Sequence, residues 1–323
     1  MTKNILVTGG AGYIGSHAVR RLIEKNYNVF VLDCLEKGTH GFVPEHVTFY
    51  KGDLRDERVL NELFSKEKID AVIHFAGYIE AGESVKDPLK YYENNVCSSI
   101  NLLKYMQKHN VKKIVFSSSA AVYGNPENVP IKEEDAKVPV NPYGQTKLMV
   151  ENILSDLSRQ NKVEFVSLRY FNAAGAHYGL GENHEPETHL IPLLIKTALG
   201  KREGFKIYGK DYDTRDGTCE RDFVHVLDLA EAHVLGLEQL FVDKKEVYYN
   251  VGSSFGYTVK EIIELVEKIT EKKISAEIAK RREGDPSRLI ADCRKIKEEL
   301  NWRPKKDINE IIKNAYEWEL KKN

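Results

Sequence analysis

Two stretches of this chain carry residues whose types and spacing can do chemistry: Thr8-Gly-Gly-Ala-Gly-Tyr-Ile-Gly15, and Tyr143-Gly-Gln-Thr-Lys147 well downstream. Glycines at 9, 12 and 15 let the backbone turn tightly and approach a pyrophosphate, and a helix opening there favours the negative charge. Tyr143 and Lys147 are four residues apart, so on a helix they share a face. A free tyrosine titrates near about 10, and a neighbouring ammonium stabilises its phenolate. Held in one cleft, the two stretches would remove a hydride and a proton from a secondary hydroxyl.

The glycine motif gains weight from its context, because it follows a strand-like run and precedes a helical one. Gly9, Gly12, Tyr13, Ile14 and Gly15 are its cofactor-binding residues. The next strand ends at Asp33, at the expected distance for a carboxylate that accepts from ribose hydroxyls and repels a 2′-phosphate, so NAD is favoured over NADP. Gly52-Asp53-Leu54 follows the third strand, with Asp53 placed for the adenine amino group or for a plain surface turn. Phe75-Ala76-Gly77 follows the fourth, both segments at sheet ends facing the expected cofactor, so Asp53, Leu54, Phe75, Ala76, Gly77 and also Asn95 are expected among the cofactor-binding residues. Asn95 sits inside a helix, where asparagine has poor propensity, which points to a polar task or a solvent face. Phe116-Ser-Ser-Ser119 closes the fifth strand, and Ser119 is placed to bond a substrate hydroxyl and relay its proton. A Tyr-x-x-x-Lys alone recurs by chance on helix surfaces. The Ser-rich strand end and the glycine motif raise it to a catalytic set of Tyr143, Lys147 and Ser119.

Alternating elements are needed to position these residues. Short β-branched runs predict strands over 4–8, 28–33, 47–51, 71–75, 113–118 and 164–169. Apolar residues at three- and four-residue spacing predict helices over 14–25, 57–65, 88–109 and 143–159. The expected fold is α/β, a doubly wound parallel sheet of Rossmann type with a smaller C-terminal α/β domain. The expected domains are 1–171, with 221–250 returning to it as strand, helix and strand, and a second made of 172–220 and 251–323.

Bulk properties remove other classes. The 48 basic residues balance 49 acidic ones, which leaves no electrostatic footprint for nucleic acid or an anionic membrane. No segment reaches the length of a membrane span and no signal peptide is evident, so the expected compartment is the cytosol. Four dispersed cysteines and ten histidines form no C-x-x-C or H-E-x-x-H spacing, so no metal is expected.

Longer motifs then identify the chain as similar to the extended short-chain dehydrogenases/reductases, and within them to the UDP-hexose 4-epimerases. The resemblance spans nearly the whole sequence. Its motifs are Thr8 to His17, His74-Phe-Ala-Gly77 with Gly82-Glu-Ser84, Tyr91-Tyr-Glu-Asn-Asn-Val96, Ser117-Ser-Ser-Ala-Ala-Val-Tyr-Gly124, Pro142 to Glu151, Arg169-Tyr-Phe-Asn-Ala-Ala-Gly175 and Asp216 to Val226. It implies that Tyr143 takes the 4-hydroxyl proton of UDP-galactose or UDP-glucose while C4 gives hydride to tightly held NAD. The 4-keto sugar then turns and takes the hydride back on its other face. It also puts Ser117, Tyr143, Lys147 and Tyr170 against the cofactor. It lines the UDP site with Asn172, His189, Leu190, Tyr208, Arg221, Arg282 and Asp285, the two arginines on the diphosphate and Asp285 on the uridine ribose. Arginine suits a diphosphate because its planar fork gives two charge-assisted bonds.

Three positions depart from the family pattern. Ile79 replaces a frequent lysine near the cofactor, and His189 a frequent asparagine. Leu289 stands where strict glucose/galactose enzymes often carry tyrosine, leaving room for a 2-acetamido group, so UDP-GlcNAc is a further expected substrate. The nearest alternatives are a 4-epimerase of UDP-glucuronate or UDP-xylose and a non-catalytic NAD-binding regulator. A 4,6-dehydratase or decarboxylase is disfavoured because Ala120 and Ala121 follow Ser119 where an added acid or base would stand. The helices over 88–109 and 143–159 carry surplus apolar residues, including Tyr92, Val96, Ile100, Leu148 and Ile153. The resemblance implies a homodimer through them, while core packing explains many of the same residues.

Overall fold

The computed structural model describes residues 2–243, 246–282 and 285–322. The first part of the chain runs β1 (Asn4–Thr8), α1 (Tyr13–Glu24), β2 (Asn28–Asp33), β3 (Thr48–Lys51), α2 (Glu57–Lys66), β4 (Ala71–His74), α3 (Ala81–Lys86) and α4 (Pro88–Tyr91). A π-helical turn (Tyr92–Cys97) leads into α5 (Ser98–Lys108), β5 (Lys113–Ser117), α6 (Pro142–Arg159) and β6 (Glu164–Tyr170). Then come β7 (Asn172–Ala174), β8 (Ala176–His177), β9 (Leu180–Gly181), α7 (Leu190–Ala198), β10 (Phe205–Tyr208), β11 (Glu220–His225), α8 (Val226–Val242) and β12 (Glu246–Val251). The chain closes with β13 (Gly256–Thr258), α9 (Val259–Thr270), β14 (Ala276–Ala279), β15 (Arg288–Leu289), α10 (Arg294–Glu299) and α11 (Ile308–Lys321).

The chain divides into two compact units, one of residues 1–123, 137–169 and 230–249, the other of 124–136, 170–229 and 250–323. The first is built on a seven-stranded sheet of order β12-β6-β5-β4-β1-β2-β3. Its strands from β3 to β6 are parallel in register, as the alternation of strand and helix requires. The order reverses between β1 and β4, the topological switch point where such sheets bind ligands outside their carboxyl ends. The core beside it gathers Leu6, Leu32, Leu60, Val72, Leu102, Ile114, Leu154 and Phe165, all essentially excluded from solvent. His74 is also buried, between Thr8 Oγ1 at 2.6 Å and Ser99 Oγ at 2.9 Å, and burial with the nearby Lys147 pushes its pKa down to about 3. It therefore joins β1, β4 and α5 as a neutral ring.

The second unit is smaller-stranded. β11 pairs with β7 and β15 in parallel and with β13 antiparallel, and β10 pairs with β14. Its core is formed by Ile191, Leu194, Ile195, Ile262, Val266, Ile311 and Ile312. Helices α9 and α11 start with capping boxes, Thr258 with Glu261 and Asp307 with Glu310, which satisfy the first free N–H groups of each.

Two details differ from the sequence expectation. The helix expected over 88–109 contains the π turn, whose extra residue per turn reorients the side chains at 92–97. Of the strand, helix and strand over 221–250, β12 joins the large sheet while β11 pairs with β7, β13 and β15. Local periodicity identifies a strand but not its partner.

Candidate active site

The glycine segment closes on itself at the end of β1. Gly9 donates its N–H to Leu32 O at 2.9 Å, and Gly12 donates to Gly9 O at 3.1 Å before capping α1. Gly9 has φ +71°, and a Cβ there would stand 2.7 Å from the Ala76 nitrogen; a Cβ on Gly15 would stand 2.1 Å from Gly9 O. No larger residue fits at either position. Bare backbone thus lies at the N-terminus of α1 and beside Phe75-Ala76-Gly77 at the end of β4, across the switch point. That cradle fits the pyrophosphate of a dinucleotide. Tyr13 is buried edge-on to His17, and Ile14 is half-buried.

Asp33 ends β2 and accepts from Ala11 N at 3.0 Å and Leu35 N at 2.8 Å; burial raises its pKa against these two bonds. It is fixed beside the glycine turn, as a ribose-binding carboxylate must be. Asp53 follows β3 and makes a bidentate pair with Arg55, which lowers its pKa. The Leu54 side chain belongs to the hydrophobic core. Asn95, buried in the π turn, accepts from Tyr78 N at 2.8 Å and donates to Tyr78 O and Thr146 Oγ1, each at 3.0 Å. Its amide spans the segment after β4 and the face of α6, so it meets a polar task there rather than a solvent face.

Helix α6 begins with Asn141, whose side chain accepts from Gly144 N, followed by Pro142 at the first helical position. This fixes Tyr143 in the first turn, where its N–H donates to Ser84 Oγ at 3.1 Å and its ring packs with Tyr78 and Tyr91. One turn on, Lys147 is fully buried. Its Nζ donates to Ser117 O at 2.8 Å and lies 6.0 Å from the centroid of the Tyr143 ring. Burial pushes the Lys147 pKa down to about 8, with Glu151 holding it up, so the ammonium is charged at pH 7. A Cβ on Gly77 would come within 3.8 Å of that Nζ and 3.1 Å of Asn95 Oδ1. Ser119 follows β5, buried, and its Oγ accepts from Ala121 N at 3.1 Å. The first unit therefore gathers a glycine cradle, a fixed carboxylate and a phenol beside a buried cation at the carboxyl ends of its strands. That is the equipment for proton abstraction from an alcohol with hydride transfer to a dinucleotide.

In the second unit, β7, β11 and β15 bring several sequence-selected residues onto neighbouring strands. Arg221 is in register with Leu289, forms an ion pair with Asp285, and donates Nη1 to Glu220 O at 2.8 Å. Asn172 Nδ2 donates to Asp222 O at 2.9 Å. The Arg282 guanidinium stacks 4.0 Å over the Tyr208 ring. His189 caps α7, whose first residue is Leu190, and its Nδ1 lies 2.8 Å from Glu187 Oε1. Tyr170 closes β6.

Sequence reasoning assigned no role to Ser84, Thr146, Glu182 or His184. Ser84 was inside a quoted motif without a role. Thr146, which ties Tyr143 O at 2.7 Å and receives from Asn95, sits three residues after the tyrosine. Its i+3 spacing was the available signal. Glu182, His184 and His189 form a cluster that metal-motif spacing does not capture.

Residues 5–252 match the model of the NAD dependent epimerase/dehydratase family. The chain is 50% identical over 317 residues to a UDP-glucose 4-epimerase from Halalkalibacterium halodurans, covering 97% of this chain and 95% of that one. A UDP-glucose 4-epimerase from Bifidobacterium longum, solved in complex with NAD+ and UDP, superposes with a TM-score of 0.94 at 42% identity, over 99% of this chain and 98% of that one. The UDP-Glc/GlcNAc 4-epimerase of Campylobacter jejuni superposes with a TM-score of 0.87 at 42% identity, over 99% of each chain.

Proposed function

Because this chain belongs to the NAD-dependent epimerase/dehydratase family, and within it to the UDP-glucose 4-epimerases, we propose that it interconverts UDP-galactose and UDP-glucose through a transient 4-keto sugar. It is an NAD-dependent isomerase. The observation that carries the reading is the buried Lys147 ammonium, bonded to Ser117 O and set beneath the Tyr143 ring.

Gly9, Gly12, Gly15, Asp33 and the segment 75–77 hold the dinucleotide. When bound, NAD would supply a reversible hydride acceptor for C4 of the sugar, so that the interconversion involves no net oxidation. Tyr143 takes the 4-hydroxyl proton on its phenolate oxygen and gives it back to the ketone oxygen. Lys147, charged at neutral pH, favours that phenolate. Ser119 hydrogen-bonds the same hydroxyl and orients it. Arg221 and Arg282 grip the diphosphate and Asp285 the uridine ribose, while Asn172, His189, Leu190 and Tyr208 line the nucleotide. Tight binding of UDP and loose binding of the hexose let the sugar turn without release. The domain reading follows: the first unit carries NAD and the chemistry, the second the UDP contacts.

The test is to incubate purified protein with UDP-galactose, without added NAD, and follow UDP-glucose by NMR. Conversion is the expected outcome. No conversion even with NAD supplied refutes the reading in favour of another nucleotide sugar or a non-catalytic NAD binder.

Leu289 supports a wider substrate range, since its aliphatic side chain is less obstructive than a tyrosine. Leu289→Tyr is expected to lower kcat/KM for UDP-GlcNAc at least about 10-fold more than for UDP-galactose. Equal losses on both sugars would remove Leu289 as the gate.

A cytosolic homodimer completes the proposal. No helix among the described residues is long and apolar enough to cross a membrane. Tyr92, Ile100, Leu148 and Ile153, on the π turn, α5 and α6, remain half-buried, and Leu89 on α4 is 71% exposed, which suits a helical contact with a second copy. Sedimentation equilibrium is expected to give twice the chain mass, and a monomer at all concentrations would exclude the dimer.

A further inference from the structure

The loop leading into α7 gathers side chains that can ligate a metal. Glu182, His184 and His189 each offer one ligand atom, and these atoms lie within 4.8 Å of one another. Glu182 is the hub, with its side chain 9% exposed. Its Oε1 is 2.5 Å from His184 Nδ1, and its Oε2 is 3.8 Å from His189 Nδ1. Glu187, 4% exposed at its side chain, sets Oε1 2.8 Å from His189 Nδ1. The two imidazole rings stand 5.9 Å apart.

This cluster is built rather than accidental. Glu182 Oε1 also accepts from the backbone N–H groups of Asn183 at 2.8 Å and His184 at 3.1 Å, which orients the carboxylate. Trp318 Nε1 donates to Glu182 O at 2.9 Å, and Trp318 leaves no space for a Cβ at Gly181, so α11 holds the residue in place. Glu187 Oε1 likewise accepts from Thr188 N at 2.7 Å and His189 N at 2.8 Å.

We propose that Glu182, His184 and His189 form a binding site for a divalent transition-metal ion of the zinc class, with water completing the coordination. Two imidazoles with a carboxylate are a borderline donor set that suits zinc, whereas calcium and magnesium select oxygen ligands. Ligand atoms about 2.0–2.2 Å from a tetrahedral zinc ion lie roughly 3.3–3.6 Å apart, and the observed separations bracket that range, so small side-chain rotations admit the ion. All three donors come from one short loop between β9 and α7, so few residues separate them in sequence and the cost of closing the loop around an ion is small. The ion would pin the entry to α7. His189 also belongs to the proposed UDP lining, so the test is made at Glu182 and His184, which do not.

The test uses full-length, tag-free protein treated with a chelator, dialysed and titrated with Zn2+ by calorimetry, with bound metal counted after gel filtration. The expected result is about one Zn2+ per chain, with affinity falling by about 100-fold or more in Glu182→Gln and in His184→Gln. His177→Gln, exposed at the end of β8 and outside the cluster, retains it. Co2+ in place of Zn2+ gives the strong visible band of a four-coordinate site in the parent protein and not in His184→Gln. Circular dichroism verifies that the variants fold, and if Glu182→Gln does not, His184→Gln decides the matter. Uptake unchanged in His184→Gln, or never approaching one ion per chain, overturns the proposal.

Discussion

Replacing Tyr143 with phenylalanine is expected to lower epimerisation of UDP-galactose by roughly 10²–10⁴-fold while NAD remains bound. The substitution removes one oxygen and leaves the ring, which packs with Tyr78 and Tyr91, and the backbone N–H, which donates to Ser84 Oγ at 3.1 Å. Lys147 keeps its bond to Ser117 O, since that contact does not involve the phenol. The loss therefore isolates proton transfer from folding and cofactor binding. It should fall near the upper end of the range, because the same oxygen is needed to take the proton and to return it. UDP-glucose formation by NMR and NAD released on denaturation give the two readouts. Unchanged turnover would remove Tyr143 as the base, and loss of NAD with activity would make its role one of cofactor binding.

The second large effect is on stability. Arg169 and Glu151 are each 1% exposed. Arg169 Nε lies 3.0 Å from Glu151 Oε1 and Nη2 2.8 Å from Oε2, while Nη1 donates to Tyr123 OH at 3.0 Å. The guanidinium also stacks 4.6 Å over the Tyr248 ring. Arg169→Met keeps much of the volume and strands the Glu151 carboxylate with Ser167 Oγ, its remaining donor at 2.7 Å. An uncompensated buried charge of this kind costs about 3–5 kcal/mol, read as a lower midpoint in urea unfolding. Adding Glu151→Leu to Arg169→Met should recover part of the loss, because a buried ion pair can be exchanged for apolar packing at little net cost, while the buried Lys147 ammonium loses the carboxylate that holds its pKa up. A single variant as stable as the parent, or a double variant no better than the single, would show that the pairing is not what holds this part of the core.

Much of the first unit was legible from the chain alone, for reasons that can be named. Strand β1 and the glycines after it are neighbours in sequence, so the requirement for φ +71° at Gly9 and for bare backbone at Gly15 is written locally. Tyr143 and Lys147 share one helix, and a four-residue spacing is enough to place them on one face. What was not legible depended on distant pairings. The register of Arg221 with Leu289 joins residues far apart in sequence. The assignment of β12 to the large sheet and β11 to another needed the same kind of information. The π turn at 92–97 was hidden because it lies between two helical segments and continues their winding, and the extra residue in the turn shows only in the hydrogen bonds.

By itself, then, the sequence determined the chemistry of this protein: a dinucleotide cradle, a phenol with an ammonium one turn away, and a fold of alternating strands and helices to carry them. These depend on short-range periodicity and on residue type, which need no tertiary contact to be read. Only the tertiary structure decided how burial tunes that chemistry, with Lys147 held near pKa 8 against the Ser117 carbonyl. It alone revealed that Asn95 and Thr146 brace α6, and that Glu182, His184 and His189 converge. Desolvation, charge proximity and side-chain convergence are properties of what the folded chain places around a residue, and a linear pattern does not encode them.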